Sequence, residues 1–307
     1  MEYKLNNGAS GTFVPSYDNV KAIALWEKLC QTKVDGELLE GYMFKDGVNY
    51  LAAATSLCYW WFLYPFVQYS AFLAQYPPDE YEYIFTKPCR LKRYIESLIS
   101  NKRPSLYRRI SNFAGNLLKL IHNRRILHHY KKRKLVFVEL HFNNFRLTGI
   151  RKALGKKNLS YVSAVETPRQ EVLKNLFSFT PLPVFSMHNV PPVLRAISQK
   201  VEWPDLADKT ELAQIRRALQ IVLSLSESFK AAAGWNALSL KSWNGKFLFG
   251  LDETNSYFPL FWGASDAGLK TVGFQHGLYC STHVGYVLPG LKREFKWFDK
   301  IIVWGEY

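Results

Sequence analysis

The stretch KFLFGLDETNSYFPLFWGASDAGLKTVGFQHG, Lys246–Gly277, decides the fold. Phe247 to Leu251 is a short apolar run bounded by Gly245 and Asp252, the pattern of a buried strand. Thr254 or Asn255 can cap a following helix, in which Pro259 is tolerable only near the first turn. Gly268 can end that helix, and Thr271 to Phe274 reads as a second buried strand. Asp252, Glu253 and His276 then fall where parallel strands end, the edge at which open α/β sheets bind ligands.

The same texture extends in both directions. Leu135 to Leu140 (LVFVEL) predicts a strand, Asn144 to Leu154 a helix, and Leu159 to Val165 a strand running into Glu166. Pro168 to Phe177 predicts a helix, Val184 to Met187 a short strand before His188, Ala213 to Ala233 a long helix, and Ile301 to Trp304 a last strand. Repeated βα units imply a mostly parallel sheet with helices on both faces. The expected fold is therefore α/β, with a Rossmann-like doubly wound parallel sheet over residues 134–307. A helical, basic N-terminal region over residues 1–133 precedes it. No internal repeat or low-complexity tract interrupts the chain.

Within that first region, residues 1–18 read as a flexible or partly docked lead. Asp18 to Gln31 has helical spacing, with Val20, Ile23, Ala24, Trp26 and Leu29 largely on one face. Gly36, Gly41 and Gly47 punctuate a loop region. Leu51 to Tyr76 carries no charge and is long enough to cross a membrane. Thr55, Ser56, Gln68, Ser70, Gln75 and a central Pro65 favour one or two buried or interfacial helices broken near Pro65. The cluster Tyr59-Trp60-Trp61-Phe62 reads as core before interface anchor.

Lys87 to Lys134 is basic, with Glu96 its only acid. Ile110, Phe113, Leu117, Leu120 and Ile121 recur at helical spacing, which makes a basic amphipathic helix. Arg108, Arg109, Arg124 and Arg125 are its candidate anion contacts. A solvated face is the plain alternative. A membrane surface comes next, since such a helix sets cations on anionic headgroups. Nucleic acid is not favoured, because no zinc finger, RRM-type strand or helix-turn-helix pattern is visible.

Composition narrows the class. The chain has 307 residues, 48% of them apolar, enough for a full core and against a disordered tail. Its net charge of +15 implies a positive surface potential and an anionic partner: nucleic acid, membrane or phosphorylated substrate. Cys30, Cys58, Cys89 and Cys280 form no CxxC pair, so reduced, buried thiols in a cytoplasmic protein are expected. The opening MEYKLNNGASGTF has no apolar signal core.

The chemistry follows by elimination. His128, His129, His141 and His188 are scattered, and no HExxH spacing suggests a metal; none is expected. There is no GxSxG elbow, no phosphate-cradling GxxxxGK[ST] loop and no GxGxxG after a strand, so serine hydrolysis, nucleotide hydrolysis and dinucleotide redox chemistry lack support. Carboxylates and imidazoles at strand ends remain: Glu139, His141, Glu166, Asp252, Glu253, His276 and His283. A carboxylate there can serve sugar chemistry, where positive charge develops at the anomeric carbon. Taken singly, each carboxylate is as well explained as a loop residue satisfied by backbone N–H groups. Gln275-His276-Gly277 says more, because two polar side chains stand beside a Gly that permits close ligand approach.

TVGFQHG, then His283 and Tyr286, then FDKIIVWGEY, resembles bacterial surface-carbohydrate glycosyltransferases of the GT-B type. Gln275, His276, Gly277, Tyr286, Asp299, Trp304 and Gly305 match the ordered pattern of those families. They include capsule and O-antigen transferases such as retaining Kdo transferases and polysialyltransferase-like enzymes. The likeness covers residues 246–307 and extends more weakly from 134. It implies transfer of a sugar from a nucleotide-sugar donor, CMP-linked sugars included, to a glycan or lipid-linked acceptor, with no bound cofactor. By that analogy Asp252 is a catalytic carboxylate, Glu166 a second, and His276 contacts acceptor, donor phosphate or reacting oxygen. Gln275, Gly277, Glu253, His283 and Tyr286 would bind substrate. Such enzymes continue past Trp-Gly into a second Rossmann domain, whereas this sequence ends at Tyr307. The expectation is thus the acceptor-side, N-terminal half of a GT-B fold, peripheral at the inner membrane face. The competing reading is a non-catalytic basic module that binds anionic lipid or nucleic acid.

Overall fold

The computed structural model describes residues 2–76, 80–84, 106–130, 135–139, 160–163, 197–206, 209–241, 245–251, 258–274, 288–293 and 298–303, with a few single positions between them. In chain order the first elements are β1 (Glu2–Lys4), β2 (Ser10–Thr12), α1 (Asn19–Gln31), β3 (Lys33–Val34), β4 (Glu37–Leu38) and α2 (Leu39–Tyr42). Then come β5 (Phe44–Lys45), β6 (Val48–Asn49), α3 (Tyr50–Cys58), a π turn (Tyr59–Leu63) and α4 (Tyr64–Gln75). The rest comprises α5 (Leu106–Tyr130), β7 (Leu135–Glu139), β8 (Ser160–Ser163), β9 (Val201–Glu202), α6 (Lys209–Leu240), β10 (Phe247–Leu251), α7 (Phe258–Asp266), β11 (Lys270–Phe274) and β12 (Lys300–Ile302). The class is mixed α/β. The chain divides into two compact units, Met1–Arg103 with Pro191–Ser226 and Cys280–Phe295, and Pro104–Val190 with Glu227–Tyr279 and Lys296–Tyr307.

The first unit has a helical core trimmed with small antiparallel ladders. Asp18 caps α1 through its side chain, accepting from the Lys21 N–H at 2.9 Å. The buried face of α1 is Ala22, Leu25, Trp26, Leu29 and Cys30, which keeps Trp26 and Leu29 of the expected stripe but leaves Val20 and Ala24 exposed. Residues 1–18 are more than a lead, since β1 and β2 pair antiparallel around a tight turn and Leu5 is fully buried. The glycine-punctuated region likewise forms two hairpins. Asp35-Gly36 and Asp46-Gly47 all have positive φ, which closes β3–β4 and β5–β6 as two-residue turns with the right-handed strand twist.

The uncharged run from Leu51 is buried helix, and its irregularity is local. Pro65 lacks an N–H and its ring crowds the carbonyl four residues back. The chain answers with one π turn, where the Tyr64 N–H donates to the Tyr59 carbonyl five residues away. The helix therefore widens before Pro65 instead of breaking. Tyr59 and Phe62 from the aromatic cluster are core. Among the described residues no helix is long and apolar enough to cross a membrane.

The second unit is built on a five-stranded, all-parallel sheet in the order β12-β11-β10-β7-β8. β11 is buried at every position after Lys270, as an inner strand of a parallel sheet should be, while β12 is an exposed edge. Val272 and Phe274 pack with Phe249. Helix α7 has Pro259 in its first turn. It ends at Gly268, whose φ of +83° sets up a Schellman cap: Leu269 N–H to Ala264 O and Gly268 N–H to Ser265 O, both 2.9 Å. Gly263 lets α7 press on α6, where a Cβ would sit 2.6 Å from the Ala233 carbonyl oxygen. Phe298 fills the space over Gly273 and meets Phe261 edge-on at 4.5 Å.

Candidate functional site

In a parallel sheet every strand ends on the same edge. Here those ends are Glu139, Ser163, Leu251, Phe274 and Ile302. The register levels them, pairing Leu251 with Phe274, Phe274 with Ile302, and Glu139 with both Ser163 and Phe249. The chain travels outward from β7 to β8, then crosses to the other side of β7 for β10 and continues away through β11 and β12. β7 and β10 are thus the neighbours at which the strand order changes direction. In open parallel sheets that point, outside the carboxyl ends, is where ligands bind.

The sequence continues from Leu251 into Asp252 and Glu253, and from Phe274 into Gln275, His276 and Gly277. These residues lie outside the described residues, as do Glu166, His283, Tyr286, Trp304 and Gly305, and the predicted elements at 168–177 and 184–187. Glu139 is the last residue of β7, at the reversal point.

Asp299, the remaining motif residue, is described and sits elsewhere. It stands just before β12, at the edge where strands begin. One carboxylate oxygen accepts from the Thr271 N–H at 2.8 Å and from the Thr271 hydroxyl at 3.2 Å. The Asp299 N–H donates back to that hydroxyl at 3.0 Å. Sequence order alone gave no sign that this member of the pattern is a clamp joining two strand starts.

Two other features escape the sequence pattern. A surface groove of about 650 Å³ is lined by Lys230, Gly234, Trp235, Leu238, Lys241 and Asp266. Burial pushes the Asp266 carboxyl up, against the opposing pull of Lys241 and a hydrogen bond with Trp262. Asp266 ends α7 four residues before β11 starts, so this end of the groove belongs to the edge opposite the candidate residues. The other feature is in the first unit. Buried Glu40 accepts from the Lys292 N–H at 3.0 Å, the Arg293 N–H at 2.9 Å and Asn49 Nδ2 at 3.0 Å. Trp26 Nε1 donates to the Pro289 carbonyl at 2.9 Å, and the Arg293 guanidinium lies 4.5 Å over Phe44. The segment just downstream of the Gln275–Tyr286 stretch is thereby fastened to α1 and α2.

Arg124 and Arg125 are exposed on α5, and Arg108 and Arg109 belong to the same helix. Among the described residues no group of three or more His, Cys, Asp or Glu is placed to hold a metal ion. The chain matches no protein-family model, no curated protein and no solved structure.

Proposed function

We propose that this chain is the acceptor-side half of a GT-B-like glycosyltransferase, with a Rossmann-like doubly wound sheet that delivers its catalytic groups to one edge. The observation that carries the reading is the sheet order. β10 and β11 end level beside the point of reversal, and the next residues in sequence are Asp252 and Gln275-His276-Gly277. Carboxylate and imidazole are the groups that sugar transfer needs. An acceptor hydroxyl oxygen attacks the anomeric carbon, the bond from that carbon to the donor phosphate breaks, and the hydroxyl proton passes to Asp252. His276 faces the departing phosphate, whose growing negative charge an imidazolium stabilises. Glu166, Gln275, Gly277, Glu253, His283 and Tyr286 line the acceptor side. The donor is a nucleotide sugar, CMP-linked sugars included, and a second α/β domain holds its nucleotide.

Labelled CMP- and UDP-sugars offered with a glycolipid acceptor test this reading. Asp252→Ala and His276→Ala are expected to lower transfer by about 10²-fold or more without moving the unfolding midpoint. Titration of the acceptor against the chain alone gives a second readout, weakened by Tyr286→Ala on the acceptor side. Unchanged turnover in either variant would remove that residue's role. A broad panel with no transfer, no donor hydrolysis and no acceptor binding would remove the function.

A further inference from the structure

Helix α5 is turned the opposite way from an ordinary surface helix. Ile110, Phe113, Leu117 and Ile121 are 59%, 59%, 41% and 52% exposed. At 100° per residue they fall within about 80° of arc, a single stripe along the helix. The other side carries His122 and Asn123, which are almost wholly buried. Asn123 Nδ2 donates to Ser239 Oγ at 2.5 Å, and Phe113, at the rim of the stripe nearest α6, meets Trp235 edge-on at 5.7 Å. These contacts with α6 fix the rotation of α5 about its axis, so the apolar stripe faces outward by construction. One turn beyond Ile121, exposed Arg124 continues the stripe and Arg125 flanks it. The helix has no Asp or Glu, and Lys131-Lys132-Arg133-Lys134 follow it in sequence.

The structure assigns this outward face of α5 as a docking surface for an anionic lipid bilayer, with the apolar stripe in the acyl boundary and Arg124 and Arg125 at the headgroup phosphates. Charge decides among the occupants. A second copy laid on the face in either direction would set cation against cation. A nucleic acid would meet the arginines but gain nothing from four apolar side chains. An anionic bilayer complements both, since a helix lying in its plane buries an apolar face while its cations stay at the phosphates. A membrane-spanning role is not involved. The inference is independent of the sheet-edge chemistry, and His276→Ala is expected to dock like the parent chain.

Co-sedimentation of the full chain with phosphatidylcholine vesicles, with and without phosphatidylglycerol, tests it. Pelleting is expected only with phosphatidylglycerol and should fall as salt rises. Leu117→Ser with Ile121→Ser should lower partitioning about tenfold or more, and Arg124→Gln with Arg125→Gln about thirtyfold at low salt. The replaced side chains are exposed, so both variants should unfold as cooperatively as the parent, which excludes unfolding as the cause. Equal pelleting of the Leu117/Ile121 variant overturns the assignment, as does equal binding to uncharged vesicles. So does a stripe-dependent dimer without vesicle binding, or RNA binding that the stripe variant keeps in the absence of vesicle binding.

Discussion

The clamp between Asp299 and Thr271 yields a quantitative test, because three hydrogen bonds join the two residues. Asp299→Ala removes the acceptor of the Thr271 N–H, a 2.8 Å bond to a charged oxygen, and of the Thr271 hydroxyl proton. Thr271 is only 4% exposed, so its amide depends on the carboxylate for a partner. Hydrogen bonds to charged groups contribute about 1.5–3 kcal/mol, and a buried donor left without a partner forfeits that amount. The Asp299 N–H keeps its own bond to the hydroxyl, since the backbone is unchanged. The expected loss is about 2–3 kcal/mol, or about 5–10 °C in melting temperature for a domain of this size. Asp299→Asn keeps an acceptor oxygen and should lose only about 1 kcal/mol. Urea and thermal unfolding of the three proteins decide it. A melt of Asp299→Ala within about 1 °C of the parent refutes the clamp, and so does an Asn variant as unstable as the Ala one. Thr271 lies three residues, about 10 Å, before the carboxyl end of β11 at Phe274. Folded Asp299→Asn is therefore expected to bind acceptor like the parent.

Two further outcomes follow from buried groups. Glu40→Ala strips the acceptor from two backbone N–H groups and Asn49, which should cost about 3 kcal/mol in urea unfolding and open residues 288–293 to protease. Glu40→Gln should lose about 1 kcal/mol, and equal stability of parent and Ala variant would refute the fastening. Burial pushes the Cys30 and Cys58 thiols well above their ordinary 9.0. The native state therefore holds them neutral, and their contribution is whole below pH 9.0 and lost as pH climbs toward the raised values. Melting temperature should decline above pH 9 and decline less in Cys58→Ala. Native Cys58 should resist alkylation at pH 8, and a free-thiol rate there would contradict its burial.

The parallel strands were legible because inner strands are continuous apolar runs that need no partner to be recognised. Phe247–Leu251 and Lys270–Phe274 emerge nearly as read, and Pro259 and Gly268 mark the ends of α7 for local backbone reasons. Helix α6 outruns its expected end at Ala233: Gly234 costs about 1 kcal/mol in mid-helix, offset by the burial of Asn236, Ala237 and Leu240 beyond it. The two Asp-Gly turns carried a hairpin signal that a count of loop glycines obscured. The face of α1 was legible only in part, at Trp26 and Leu29, and the outward turn of α5 was not. Periodicity finds a stripe, but it cannot say whether that stripe meets core or solvent. In α5 a buried Asn123–Ser239 bond settles the matter from 116 residues away. The proposed catalytic residues could be placed only as positions after strand ends, since convergence in space depends on loop paths that local pattern does not specify.

The fastening of Lys292 and Arg293 to Glu40 also sets a schedule for biosynthesis. The carboxylate leaves the ribosome 252 residues ahead of its first backbone donor at position 292. At 5–20 residues per second, that is a wait of about 13 to 50 s. Trp26 waits about as long for the Pro289 carbonyl, 263 residues downstream. During this interval the N-terminal helices can collapse on one another, but the strap that closes over α1 and α2 has not been made. A nascent chain stalled before residue 288 would present that uncovered surface to chaperones, and synthesis of residues 288–293 would close it.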